Sequence, residues 1–234
     1  GGNLTAGRLE LVTMPTGTLE YGYYPPGCTG GCAPGRLATV VGPGNIGLSL
    51  GYDGLLTTGT TWSGEVNGSV TWSYDTDFRH AIEAVTDGTT TSDVTFGYDA
   101  DSLLTCASPT TCSPVSTDAL RLTYSTTLPR LTGTTLGSVT DAVRYNAFGE
   151  LATYTVNHGG APLYSVTYDS PTTPRDLLGR VVEKVETLQG TTKTSRYDYD
   201  DLGRLVAVTE DGVLTEEYEY DPNGNRLALT TPEG

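Results

Sequence analysis

The stretch from Tyr197 to Leu229, YDYDDLGRLVAVTEDGVLTEEYEYDPNGNRLAL, decides the fold. Tyr197 and Tyr199 lie two residues apart, so a strand puts both rings on one face and Asp198 on the other. Asp200 and Gly203 supply turn chemistry. The Asp can accept bonds from nearby N–H groups, and the Gly tolerates positive φ. Arg204 to Thr209 is apolar-rich and β-branched, which predicts a second strand. Asp211-Gly212 is a strong hairpin signal between strands. Leu214 to Tyr220 then returns, with Tyr218 and Tyr220 predicted to face inward. Asp221 to Asn225 repeats the turn, and Leu227 starts the next strand. Strict alternation fails at one place: Leu205 and Val208 are three apart, as are Leu37 and Val40, which predicts a bulge or sharp twist there.

The same pattern extends outward. A Tyr followed by Asp or a small residue recurs at Tyr52, Tyr74, Tyr98, Tyr124, Tyr145, Tyr168, Tyr199 and Tyr220, at intervals of 22, 24, 26, 21, 23, 31 and 21 residues. An earlier copy is GYYPPG around Tyr23 and Tyr24. The residue two before each anchor is apolar or aromatic: Leu50, Trp72, Phe96, Leu122, Val143, Val166, Tyr197 and Tyr218. The residue between them is small, polar or charged, the alternation of a sheet with one buried face. Turns follow the anchors at Gly7-Arg8-Leu9, Gly35-Arg36-Leu37, Gly179-Arg180-Val181 and Gly203-Arg204-Leu205, with Gly149-Glu150-Leu151 and Asn225-Arg226-Leu227 as variants. Asp87-Gly88 reads as a further hairpin turn.

A period in this range indicates stacked supersecondary units. A lone hairpin is marginal in water, so neighbours must complete each core. The expected fold is therefore all-β: repeated antiparallel β-hairpins forming a continuous strip or spiral sheet, with residues 1–234 as a single array. Cys106 to Thr117 and Ser170 to Asp176 break the rhythm and read as surface loops.

Composition agrees. The chain holds 30 Gly in 234 residues, nearly twice the usual roughly 7%, which suits many turns. A formal charge of -15 repels phosphates and anionic membranes, which argues against nucleic acid as a partner. No run of eighteen apolar residues offers a transmembrane helix. Cys28 with Cys32 and Cys106 with Cys112 form two close pairs in turn-like stretches. Two local disulfides in an oxidising compartment are the preferred reading. Free thiols, or a metal site with spacing unlike zinc ribbons, are the alternatives. Asn3-Leu4-Thr5 and Asn67-Gly68-Ser69 match the glycosylation pattern.

Chemistry is sparse. His80 and His158 are the two histidines, and neither belongs to a nucleophile elbow, zinc motif or phosphate loop. The Asp residues recur at turns, where backbone bonding explains them better than a paired-carboxylate active site. Asp221 to Asn225 offers alternating oxygen ligands like the start of a calcium loop, but Thr231 or Pro232 falls where the distal Glu belongs. No catalytic, cofactor or metal residue is assigned, and an enzyme is not expected. Trp62 and Trp72 flank a Gly-rich segment. Trp72 occupies an inward position, whereas Trp62 is free to face a ligand.

The quoted stretch resembles the YD repeats of the RHS and teneurin-like superfamily, with YD, GRL, T-x-DG and YEYD at the family's intervals. The resemblance weakens between Tyr52 and Tyr145 but covers most of the chain. It implies hairpin strips that spiral into a hollow shell, which encloses a C-terminal toxic domain in bacterial toxins and belongs to an extracellular adhesion protein in animals. It assigns structural roles to Tyr52, Tyr74, Tyr98, Tyr168, Tyr199 and Tyr220. The same roles fall to Asp53, Asp75, Asp99, Asp169, Asp200 and Asp221, and to the turn residues Gly179, Arg180, Gly203 and Arg204. Ser125 after Tyr124 and Asn146 after Tyr145 depart from the motif, so those turns are expected to differ. The family's core segment with its self-cleavage residues is not visible, and no toxic domain follows. The resemblance then implies a fragment or processed piece of a larger secreted or surface shell, or a repeat-only relative. Its expected partners are the rest of the shell or an enclosed C-terminal domain, with self-association through sheet edges. A carbohydrate- or protein-binding adhesion module is the alternative.

Overall fold

The computed structural model describes residues 2–5, 7–113, 116–172 and 175–232. The Asn3 triplet's side chains and parts of both extended loops lie outside the described residues. The chain divides into two compact units, Gly1–Ala119 and Leu120–Gly234.

The first unit contains β1 (Gly2–Thr5), β2 (Arg8–Met14), β3 (Gly17–Tyr23), β4 (Leu37–Val41), β5 (Gly47–Asp53), β6 (Leu56–Ser63), β7 (Gly68–Tyr74), β8 (His80–Thr86), β9 (Thr91–Tyr98) and β10 (Leu104–Ser108). Each pairs antiparallel with the next, from β1–β2 through β9–β10. The second contains β11 (Leu120–Tyr124), β12 (Leu131–Leu136), β13 (Val139–Tyr145), β14 (Leu151–His158), β15 (Ala161–Thr167), β16 (Glu183–Leu188), β17 (Thr191–Tyr199), β18 (Leu205–Glu210), β19 (Val213–Tyr220) and β20 (Arg226–Thr230). It repeats the same up-and-down order from β11 to β20. The fold is all-β and antiparallel, as the period-two pattern predicts, with one short 3-10 turn among the described residues, at Pro43–Asn45.

The bulge falls where the three-residue spacing places it. Tyr199 pairs with Leu205 and Asp198 with Ala207, which leaves Val206 as the extra residue. The phase of β18 flips there, so Leu205 and Val208 sit opposite Tyr199 and Tyr197 on one face. The same slip accompanies Tyr23, Tyr52, Tyr74, Tyr98, Tyr124, Tyr145 and Tyr220. A bulge at every anchor except Tyr168 strengthens the local twist at the same point of those hairpins.

Full burial is uncommon. Tyr52, Val166, Val208, Cys106 and Ala119 are buried, while most strand positions are half-buried. Val208 alone is worth about 1.5–3 kcal/mol of apolar transfer. Both disulfides are formed, Cys28–Cys32 and Cys106–Cys112. The first staples the β3–β4 loop, in which Gly31 accepts a bond from the Tyr52 N–H and Tyr24 meets the Tyr52 ring edge-on. The second holds Cys112 over β9, where a Cβ on Gly97 would lie 3.3 Å from Cys112 Cβ. Gly97 is thus small because a loop folds onto it.

Asp211-Gly212 forms the expected two-residue turn, both residues at positive φ. Asp87-Gly88 instead opens a four-residue loop. Asp87 Oδ1 accepts the Thr89 and Thr90 N–H groups, and Thr86 pairs with Thr91.

Candidate functional site

One rim of each unit carries the repeated Asp turn, and its geometry is nearly invariant. In the turn at Asp200, the Asp200 N–H donates to Arg204 O and the Gly203 N–H to Asp200 O. Asp200 Oδ1 accepts the N–H groups of Leu202 and Arg204 at 3.0 and 2.9 Å. Arg204 Nε donates to Asp200 Oδ2 at 2.7 Å, which closes an Asp–Arg clasp. The turns at Asp75 and Asp176 do the same through Arg79 and Arg180. Asp99 and Asp221 form the same backbone turn, with Leu103 and Asn225 in the Arg place. The Asn225 amide closes onto Asp221 Oδ2.

These bonds stabilise the carboxylate. The Arg204 N–H lowers the Asp200 pKa, against desolvation, and the Arg79 N–H does so for Asp75. At Asp176 desolvation opposes the shift, yet the Arg180 N–H and guanidinium together still lower it.

Six Tyr anchors join their hairpin to the one before. Tyr220 OH donates to Leu205 O at 2.8 Å, Tyr199 OH to Val181 O at 2.9 Å and Tyr98 OH to His80 O at 2.9 Å. Tyr23, Tyr74 and Tyr145 reach Leu9 O, Thr57 O and Leu131 O in the same way. The turn Arg completes the rung from the other side. Arg204 lies 4.7 Å from the Tyr220 ring centre and donates to Asp221 O at 3.0 Å. Arg180 covers Tyr199 at 4.4 Å, Arg79 covers Tyr98 at 4.6 Å and Arg36 covers Tyr52 at 4.9 Å. One arginine thus ties its own turn, the next ring and, at Arg204, the next turn's backbone.

Several residues singled out by sequence lie elsewhere. Asp53 pairs with Leu56 across a tight Gly54-Leu55 turn and makes no clasp. The inserted loop moves the Asp–Arg clasp to Asp176, and Asp169 Oδ1 accepts the Arg175 N–H at 3.4 Å. Asp169 Oδ2 accepts the Asn146 amide at 2.7 Å. In the last turn Gly224 and Asn225 occupy the Gly and Arg places, and Arg226 falls one residue later over Tyr218. Ser125 caps a turn one residue longer, which delivers Arg130 to the Tyr145 ring. Tyr124 ends β11 opposite Leu131, and Tyr168 donates its N–H to Ala152 O.

The turn at Asn146 reverses the charges. Asn146 Oδ1 accepts the Phe148 and Glu150 N–H groups, and its amide donates to Glu150 Oε2 at 2.8 Å. Glu150 stands where other turns have Arg. The missing cation comes from the inserted loop: Arg175 sits 3.5 Å from Glu150 and donates to Leu151 O and Gly179 O. Arg79, Arg130, Arg175 and Asp176 escape a reading anchored on Tyr-Asp and Gly-Arg. A search for Asp or Asn with a partner four residues on finds Asp75–Arg79, Asn146–Glu150, Asp176–Arg180, Asp200–Arg204 and Asp221–Asn225.

The other candidates are dispersed. His80 is exposed on β8 against Tyr74, and His158 is exposed at the end of β14. Trp72 donates to Glu83 Oε2 across the β7–β8 pair. Trp62 lies over Gly68, where an added Cβ would fall 2.6 Å from its ring. Among the described residues no cluster of His, Cys, Asp and Glu is arranged to hold a metal, and no helix is long and apolar enough to cross a membrane.

A family model described as Teneurin YD-shell matches residues 4–233. The chain belongs to that family. Among solved structures, the YD-shell chain is similar in fold to TcdB2-TccC3 without its hypervariable C-terminal region, with a TM-score of 0.63 and 17% identity, over 96% of this chain and 12% of that one. It is similar to TcdB2-TccC3-TEV and TcdB2-TccC3-Cdc42, each with a TM-score of 0.61 and 16% identity, over 95% and 96% of this chain and 12% of theirs. The YD-shell chain therefore spans about one eighth of the length of those chains. Curated protein sequences give no significant match.

Proposed function

We propose that the chain is a wall segment of a hollow, secreted or surface-displayed YD shell, and that the complete shell encloses a polypeptide cargo such as a C-terminal toxin domain. One observation carries this reading: in both units each strand pairs with the next, and Tyr–Arg rungs tie hairpin to hairpin along one rim. Such a ladder resists shear and does no chemistry. Two disulfides suit an oxidising compartment, and the solved neighbours, named for TcdB2-TccC3, support the shell comparison. Residues 1–234 act as one array, with Tyr, Asp, Gly and Arg at the rungs as structural residues. The alternative, a sugar- or protein-binding module, draws less support, because one face of Trp62 is spent on Gly68.

The test is protease protection in the native protein that carries this segment. Its C-terminal region should resist digestion while the wall is folded and become sensitive when Tyr199 and Tyr220 are replaced by Ala. Equal digestion with the wall intact overturns the enclosure reading. A glycan screen with reproducible binding that Trp62→Ala abolishes would favour the binding module instead.

A further inference from the structure

Three consecutive turns on the Asp rim of the second unit present large apolar tips to solvent. Phe148 is 89% exposed, Leu178 76% and Leu202 73%, and Leu177 beside them is fully exposed. Each tip stands two residues after its turn's Asn or Asp, and its N–H is held by that side chain. The backbone is pinned at each turn, and the side chain projects outward from it. Turn chemistry does not ask for an apolar residue here. The equivalent positions in the turns at Asp75, Asp99 and Asp221 are Asp77, Asp101 and Asn223, although the tight turn after Asp53 also exposes an apolar residue, Leu55. The opposite rim of the same unit turns on Gly159-Gly160, Gln189-Gly190 and Asp211-Gly212.

We propose that this apolar rim is a docking surface for a second copy of the chain, rim to rim about a two-fold axis. The tips recur about every 10 Å, two strand spacings, so a facing copy presents the same period. A cleft of about 500 Å³ between Phe148 and the Leu177-Leu178 pair gives a facing tip a seat. Local charge is only partly paired off, because Asp201 stands exposed beside Leu202. Arg180 is paired with Asp176 and Arg204 with Asp200, and Arg175 faces Glu150, although the whole chain carries -15. The tips expose apolar surface on the order of 500 Å², the size of a typical monomer's largest apolar patch, which is often functional. Burying two such rims removes about 1,000 Å², the lower bound for a specific interface. A two-fold contact closes on itself and differs from the open-ended pairing of edge strands.

Sedimentation velocity of the 234-residue chain tests this. A dimer is expected at concentrations on the order of 100 µM. Phe148→Asp, Leu178→Asp and Leu202→Asp together should give a monomer with unchanged circular dichroism. Leu202→Asn, which installs the residue type of Asn223, should weaken the dimer about tenfold and serves if the triple variant misfolds. Leu214→Asp, at the opposite rim, should leave the dimer intact. A wild-type monomer throughout, a dimer that survives the rim substitutions, or open-ended polymers would each overturn the proposal. None of these outcomes bears on protease protection of a cargo.

Discussion

Gly149 and Gly190 offer a controlled measurement of what a rung contributes. Both have φ of +85°, so Ala at either position suffers the same backbone penalty. Their surroundings differ. Nothing lies within 4 Å of a Cβ on Gly190, whereas one on Gly149 would lie 2.6 Å from Arg130 Cζ. Arg130 is the cation over the Tyr145 ring, at 5.5 Å. Left-handed backbone costs a non-Gly residue roughly 1–2 kcal/mol, less about 0.4–1 kcal/mol recovered from the stiffer unfolded chain. Gly190→Ala should therefore destabilise by about 1 kcal/mol. Gly149→Ala should add the displaced cation–π contact, about 0.5–1 kcal/mol, and reach about 2 kcal/mol. In a chain of this size each kcal/mol lowers the melting temperature by about 2–4 °C, a resolvable difference. Urea unfolding of both variants, and of each combined with Arg130→Ala, isolates the coupling. The excess at Gly149 should vanish in the Arg130→Ala background. Equal effects at the two glycines, or an excess that persists without Arg130, would refute the claim that the arginine's approach fixes this glycine.

Arg175→Ala should cost about 2 kcal/mol in urea unfolding, because it removes charged donors from two backbone carbonyls and the cation beside Glu150. Stability should fall in acid. Asp87, held down to about 2 chiefly by the Thr90 and then the Thr89 N–H, favours the charged form in the fold. Its contribution is present above the ordinary carboxylate pKa near 4 and is lost as pH falls toward 2; Asp87→Asn should flatten that limb of the urea midpoint against pH. Stability should also fall in alkali. Tyr164 is pushed up to about 12, first by its hydrogen bond to Glu186, so the fold favours the neutral phenol. That contribution is complete below about pH 10 and disappears as pH rises through about 12, and Tyr164→Phe should remove it from the same profile. Replacing Cys28 and Cys32 by Ser should cost about 2 kcal/mol or less in thermal melting, since the loop it closes is short.

The fold was legible because its signals are local. Alternation at Tyr197 and Tyr199, the three-residue step from Leu205 to Val208, and Asp211-Gly212 each specify a piece of hairpin without reference to distant residues. Parts of the rim were not legible, because what holds a turn is a set of bond directions that several residue types can satisfy. Phe78 and Ser102 take the positive φ that Gly takes elsewhere. Asn146 keeps the acceptor oxygen of Asp yet donates where Asp accepts. Asp169 binds the Arg175 N–H and the Asn146 amide, while the insertion hands the Asp–Arg clasp to Asp176, where the four-residue step to Arg180 is intact.

Rungs that link only neighbouring hairpins explain why such uneven copies can coexist. A substitution such as Glu150 for the usual Arg disturbs one seam, and it needs compensation only from the adjoining hairpin, which supplies Arg175. Stability in such an array is close to a sum of nearest-neighbour terms. Selection can therefore vary the tips, lengthen a loop or reverse a charge at one seam while the others hold their register. The parts least free to change are the atoms that two seams share. The guanidinium of Arg204 is one, bound at once to Asp200, the Tyr220 ring and Asp221 O.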